Sequence, residues 1–223
     1  MRQLPLKINR TNQSHNPIEG ILIEGVDYAG KTAVTKCLTE MLITCYGKNA
    51  MYKKDYLTEN HLVKYLASMA QTMKVGESQN LPLVFAKLVD IYVYTPKKGD
   101  FIVQDRHWFS TECRINFFYP KSTLAKLLLL YRFHIPFAYN IYLTSSITTK
   151  EKRVMRSPPK SSIDKYLAKN PDVHQKYDDF CKHLIPQNEN WHVIITDNQS
   201  IDQICETIIS LTKSKLLLSP QRF

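Results

Sequence analysis

Short apolar runs alternate along this chain with longer stretches in which apolar residues return every three or four positions. Ile21-Leu22-Ile23, Ala50-Met51-Tyr52, Phe101-Ile102-Val103, Phe137 to Leu143 and His192 to Thr196 read as five strands, the first and third as buried runs. Helical periodicity runs from Lys31 to Tyr46 through Val34, Leu38, Met41, Leu42 and Cys45, and again over residues 57 to 73. A further helix over 81 to 94 opens at Pro82 and carries Leu83, Val84, Phe85, Leu88 and Val89, where an apolar Phe85 is by default a core residue. Ser122 to Phe133, Asp172 to Leu184 and Ser200 to Leu211 complete the helical set. Strands that alternate with helices need covered crossovers, so the pattern predicts an α/β fold with a parallel, doubly wound sheet.

At 223 residues the chain fits one domain with a sizeable core, and no internal repeat is visible. The most apolar region, Leu124 to Leu143, is interrupted by Lys126, Arg132, His134 and Pro136, which excludes a membrane-spanning helix there. Residues 1–17 are polar, read as a loose tail, and carry no secretion signal. The domain is expected over 18–212, with a second tail at 213–223. Five cysteines form an odd set without C-x-x-C spacing, which argues against disulfides and a zinc site. Buried free thiols in a reducing cytoplasm are the expectation.

Charge narrows the class of function. The chain carries 30 basic and 20 acidic residues, a net charge of +10 that suits a nucleic-acid binder as well as a small-phosphate enzyme. Half of the excess gathers between Thr148 and Lys169, where Lys150, Lys152, Arg153, Arg156, Lys160, Lys165 and Lys169 face only Glu151 and Asp164. Pro158-Pro159 divides this run, which suits a flap over a site better than one rigid helix. Clustering of this kind, without aromatics interleaved along a face, makes nucleic acid an unlikely partner.

The strongest chemical signal is Gly25-Val26-Asp27-Tyr28-Ala29-Gly30-Lys31-Thr32, which fills G-x-x-x-x-G-K-[ST] between a strand and a helix. In that context the glycines let backbone N–H groups face an anion, Lys31 reaches the outer phosphates, and Thr32 offers its hydroxyl to magnesium. The helix beginning at Lys31 aims its positive end at the same place. A plain glycine turn is the alternative. A second polar cluster, Gln104-Asp105-Arg106-His107, ends the third strand; an acid there can meet magnesium and an arginine can clamp a second phosphate. Lys53-Lys54-Asp55 ends the second strand at the same sheet edge.

With these motifs in order, the sequence resembles the thymidylate kinase family of P-loop nucleoside monophosphate kinases over nearly all of residues 18 to 212. Glu24-Gly25-Val26-Asp27 through Lys31-Thr32 is similar to that family's F-E-G-x-D-x-x-G-K-[ST], and Asp105-Arg106-His107-Trp108-Phe109-Ser110 to its D-R-[YH]-x-x-S. The resemblance implies a P-loop NTPase fold, three layers α/β/α around a five-stranded parallel sheet, with a small basic lid at about 148–169. It implies transfer of the ATP γ-phosphoryl group to a nucleoside monophosphate, dTMP first, with Mg2+ held by Thr32 and Asp105. Gly25, Val26, Asp27, Tyr28, Ala29, Gly30, Lys31 and Thr32 would bind ATP. Asp27, Lys54, Phe85, Arg106 and Ser110 would bind the acceptor, and a homodimer is common in the family.

Departures from that pattern bear on catalysis and on the acceptor. Tyr28 stands where some members keep a catalytic arginine, so the lid's Arg153 or Arg156 would supply it. Lys54-Asp55-Tyr56 replaces Arg-Glu-Pro, Val89 replaces a base-reading arginine, and Arg114 stands near a position that disfavours ribose. Two other readings remain open. One is a deoxynucleoside kinase of the same fold, for which Glu24 is the acid considered as base; the other is a nucleotide-binding protein without turnover.

Overall fold

The computed structural model describes residues 17–73, 76–130, 137–156, 162–186 and 190–216. Five strands, β1 (Ile18–Gly25), β2 (Ala50–Lys54), β3 (Phe101–Asp105), β4 (Phe137–Thr144) and β5 (Trp191–Ile195), form one parallel sheet in the order β2-β3-β1-β4-β5. Nine helices are described: α1 (Lys31–Thr44), α2 (His61–Thr72), α3 (Asn80–Val93), α4 (Trp108–Phe118), α5 (Thr123–Leu130), α6 (Ile147–Arg156), α7 (Ser162–Lys169), α8 (Pro171–Leu184) and α9 (Ile201–Leu216). The α/β fold with a five-stranded parallel sheet, expected from the alternating pattern, is the observed one.

β1 sits at the centre of the sheet because its residues can be dry on both faces. Ile21, Leu22 and Ile23 are all buried, and β3 is buried at every position. Ile21 and Ile23 share a cluster with Val34, Leu38 and Leu42 of α1 and Ile204, Cys205 and Ile208 of α9. Leu22 joins Ile18, Ile102, Leu57 and Phe137 in another. Each fully buried aliphatic side chain of this kind contributes about 1.5–3 kcal/mol. Register then does the functional work: Ile23 lies opposite Asp105 and Ile141, and Lys54 opposite Asp105. The glycine loop, Lys54, Asp105 and the end of β4 therefore share one sheet edge.

The elements differ from the sequence pattern in informative places. α4 carries no clean apolar stripe, since Trp108, Phe109, Thr111, Cys113, Ile115 and Asn116 are all buried, and the periodicity did not predict it. α9 continues to Leu216, so the helix extends past the expected boundary of the domain at 212. The leucine-rich helix is described over Thr123–Leu130 only, and residues 131–133 and Pro158-Pro159 lie outside the described residues, as does the N-terminal tail through residue 16. Of the five cysteines, all free, Cys113, Cys181 and Cys205 are buried. Among the described residues no helix is long and apolar enough to cross a membrane.

The basic run proves heterogeneous. Lys150 is buried and its ammonium lies 2.9 Å from the fully buried Asp178 carboxylate, which also accepts from Tyr142 (2.9 Å) and Thr144 (2.5 Å). This network fastens α6 and α8 to the end of β4, so Lys150 is a strut and not a solvent-facing lid cation. Replacing one partner of such a buried pair strands the other charge. Asp178→Ala is expected to lower unfolding stability by about 3–5 kcal/mol, whereas Lys152→Ala on the exposed face of α6 should change it by less than about 0.5 kcal/mol. Urea denaturation of the two variants checks the difference.

Candidate active site

The loop between β1 and α1 has the backbone that its glycines permit. Gly25 has φ +142°, and a Cβ there would stand 2.1 Å from the Leu143 carbonyl oxygen of β4. Gly30, the residue before α1, has φ +92°, and Tyr28 is left-handed at φ 64°. Lys31 is buried at the first position of α1; its ammonium donates to the Val26 carbonyl and lies 3.9 Å from Asp27. Burial, assisted by the nearby Arg106 charge, lowers the Lys31 pKa to about 8.

Thr32 of α1 and Asp105 at the end of β3 meet beside the loop. The Thr32 hydroxyl donates to Asp105 Oδ2 at 2.6 Å, while Asp105 Oδ1 is buried and has no hydrogen-bond partner. An unsatisfied buried carboxylate oxygen beside a threonine hydroxyl fits magnesium, which takes one or two protein oxygens and completes its shell with phosphates and water. Among the described residues no group of three His, Cys, Asp or Glu could hold a metal by protein ligands alone.

Arg106 follows in a left-handed conformation, φ 63°, with its carbonyl bonded by Gln104 Nε2 at 2.7 Å. Its guanidinium pairs with Asp27, so the loop aspartate and the arginine hold each other in the protein alone. Ser110 lines the cleft, but its hydroxyl donates to Glu24, a fully buried carboxylate that also accepts from the backbone N–H of His107 (2.7 Å). Burial pushes the Glu24 pKa up, against the hydrogen bonds from Ser110 and His107. Glu24 is thus an anchor for the start of α4 and not an acid facing a substrate. Behind this wall Asp90 of α3 accepts from Leu57 N–H (2.7 Å), Thr58 N–H (2.8 Å) and the Thr58 hydroxyl (2.6 Å), and lies 3.1 Å from His107 Nε2.

One cleft of about 850 Å³ runs from the loop to the far side of the site, lined there by Lys54, Asp55, Tyr56, Leu83, Lys87 and Arg114. Phe85 is not among its walls. It is half exposed on α3, on the side of Leu81, while the inward positions of that helix belong to Leu83 and Lys87. The structure therefore does not bring Phe85 to the cleft with the other residues expected to bind an acceptor.

Two charged residues at this end had escaped assignment. Asp55 is the centre of a three-residue turn closed by Tyr56 N–H to Lys54 O at 2.6 Å, with φ 59°, a tight and strained geometry. Its acid was visible in the sequence as the counterpart of the glutamate in Arg-Glu-Pro. Lys87 is buried, donates to the Asp55 carbonyl and sits 4.2 Å from the centre of the Tyr56 ring. A lone lysine amid the apolar residues of α3 was the available signal.

Of the two lid arginines the structure brings one to the loop. Arg153 donates to the Tyr28 carbonyl (2.8 Å), to the Thr196 hydroxyl (3.0 Å) and to the Thr196 carbonyl (3.1 Å) and lines the cleft. Arg156 is exposed at the end of α6 and is not part of the cleft wall.

The depressed Lys31 pKa gives a measurable signature. At pH 8.5 a large share of Lys31 is neutral in the free protein, and a polyphosphate placed against it favours the ammonium again. Binding of ATP at that pH is expected to take up a fraction of a proton, seen as a dependence of calorimetric heat on buffer ionisation enthalpy. Lys31→Met should remove that dependence.

No family model matches the chain, and no curated protein does. Solved structures do. Thymidylate kinase from Candida albicans superposes with a TM-score of 0.67 at 15% identity, over 89% of this chain and 92% of that one. Deoxyadenosine kinase from M. mycoides with bound dATP gives 0.60 at 16% identity, over 87% and 99%, and the same enzyme with dCMP and dCDP gives 0.59 at 16%, over 87% and 98%. The fold is that of the P-loop nucleoside and nucleoside monophosphate kinases.

Proposed function

We propose that this protein is a magnesium-dependent phosphotransferase that moves the γ-phosphoryl group of ATP to a nucleoside monophosphate, with dTMP the first acceptor to test. The observation that carries this reading is one shared cleft, with the glycine loop at one end, Arg106 beside that loop and Lys54 further along the wall. Two phosphate-bearing substrates need such a shared, cation-lined space, because phosphoryl transfer depends on alignment and charge stabilisation more than on covalent help.

In this reading Lys31 and the loop amides hold the β- and γ-phosphates, and Arg106, released in part from Asp27, holds the acceptor phosphate together with Lys54. Thr32 and Asp105 hold Mg2+, which when bound neutralises charge on the donor phosphates. Arg153 stands over the loop as the cation for charge that develops on the transferred group. Arg153→Ala is expected to lower kcat by about 10²–10³-fold, and Arg156→Ala by no more than a few-fold. Steady-state ADP release separates them.

A second reading, phosphorylation of a free nucleoside hydroxyl, is favoured by one observation: Asp55, and not Glu24, lines the cleft. A hydroxyl acceptor needs a base, whereas an ionised phosphate needs none and is repelled by a nearby carboxylate. ADP release across nucleosides and nucleoside monophosphates, with Lys31→Ala as the inactive control, is expected to favour the monophosphates, and Asp55→Asn to spare that activity. A preference for nucleosides together with a 10²–10⁴-fold loss in Asp55→Asn would establish the second reading. No turnover with any acceptor alongside ATP binding would leave a nucleotide-binding protein without catalysis.

A further inference from the structure

The acceptor end of the cleft holds one cation whose hydrogen-bonding capacity is unspent. Arg106 is engaged by Asp27, and Lys87 by the Asp55 carbonyl and the Tyr56 ring. Lys54 is exposed at the rim of the sheet edge. Arg114 differs. It lines the cleft from α4, one helical turn, or about 6 Å, beyond Ser110 and so further from the loop. Its Nη2 donates to Asn80 Oδ1 at 2.9 Å, but Nε is buried without a hydrogen-bond partner. No carboxylate among the described residues forms an ion pair with it.

Asn80 repeats the theme. It is 1% exposed at the start of α3, its amide oxygen is used by Arg114, and its Nδ2 has no partner. Two adjoining side chains thus keep an unpaired donor each, Arg114 on the cleft wall and Asn80 behind it, and the one acceptor between them, Asn80 Oδ1, is spent on Arg114. A charged group left short of acceptors is unfavourable, and because Arg114 lines the cleft a ligand oxygen there would give its guanidinium a further acceptor. A ligand amino group set against the Arg114 guanidinium would face donor to donor, whereas a keto oxygen there would accept from it.

We propose that Arg114, held by Asn80, reads the base edge of the acceptor and selects keto bases, thymine, uracil or guanine, over the amino bases adenine and cytosine. The reader comes from α4. The corresponding position expected on α3, Val89, carries no polar group. The inference rests on the proposal that this end of the cleft takes a nucleotide, and it gives that site a substrate class. Arg114 acts on the bound base and leaves the donor loop untouched.

The test is calorimetric binding of dTMP, dGMP, dAMP and dCMP to the full chain, beside turnover with ATP, for wild type, Arg114→Gln and Asn80→Asp. Wild type should bind the keto pair at least about 10-fold tighter than the amino pair, as expected for a charged hydrogen bond made or lost. Arg114→Gln should weaken the keto pair by about 10- to 100-fold, flatten the preference and leave ATP affinity unchanged. Asn80→Asp keeps the arginine but gives it a carboxylate, and should reduce the preference while preserving or raising thermal stability. Should Arg114→Gln fail to fold, Asn80→Asp alone decides. Equal binding of all four by wild type, an unchanged preference in both variants, or an equal loss for ATP and every acceptor would overturn the assignment. Selective, Arg114-dependent binding without turnover would sink the kinase reading alone; turnover indifferent to Arg114 would sink this inference alone.

Discussion

Everything at the active edge depends on a carboxylate that never meets solvent. Glu24, at the end of the central strand, accepts hydrogen bonds from the backbone and side chain that begin α4 and so replaces the partners those N–H groups would otherwise lack. Glu24 is followed at once by the glycine loop, and Asp105-Arg106 stands one residue, His107, before α4. One buried acid therefore ties the glycine loop to the start of α4 and to the Asp105-Arg106 pair just before it. The Thr32–Asp105 bond between α1 and β3 and the Asp27–Arg106 pair form across that same junction.

Around this centre the site is braced from both flanks. On one side Asp90 and Lys87 of α3 tie down the chain leaving β2, through Leu57, Thr58 and the Asp55 carbonyl. On the other, Arg153 spans the Tyr28 and Thr196 backbone and joins α6, the phosphate loop and the chain after β5. A cation of α6 is thus already in contact with the glycine loop in the protein alone.

The sheet and the phosphate loop were legible in the sequence because each is a local pattern: an apolar run, or a motif framed by strand and helix. What was not legible turns on rotation and burial. Phe85 and Leu83 are equally apolar, and periodicity alone does not say that α3 turns Leu83 inward and leaves Phe85 in water. Lys31, Lys87 and Lys150 are all buried, against the ordinary expectation for lysine, and only the first was marked by a motif. α4 hid because it is buried on several sides, which blurs the helical stripe, and with it went the setting of Arg114.

Three of the four left-handed non-glycine residues among those described, Tyr28, Asp55 and Arg106, line the cleft. Each holds a conformation that glycine adopts more easily, so the cleft wall is where the described backbone is least relaxed. Selection for thermal stability alone would therefore act against the site, since relief of backbone strain and retention of these side chains cannot be had at one position. The geometry of the cleft is a record of what the fold retains in spite of its own stability.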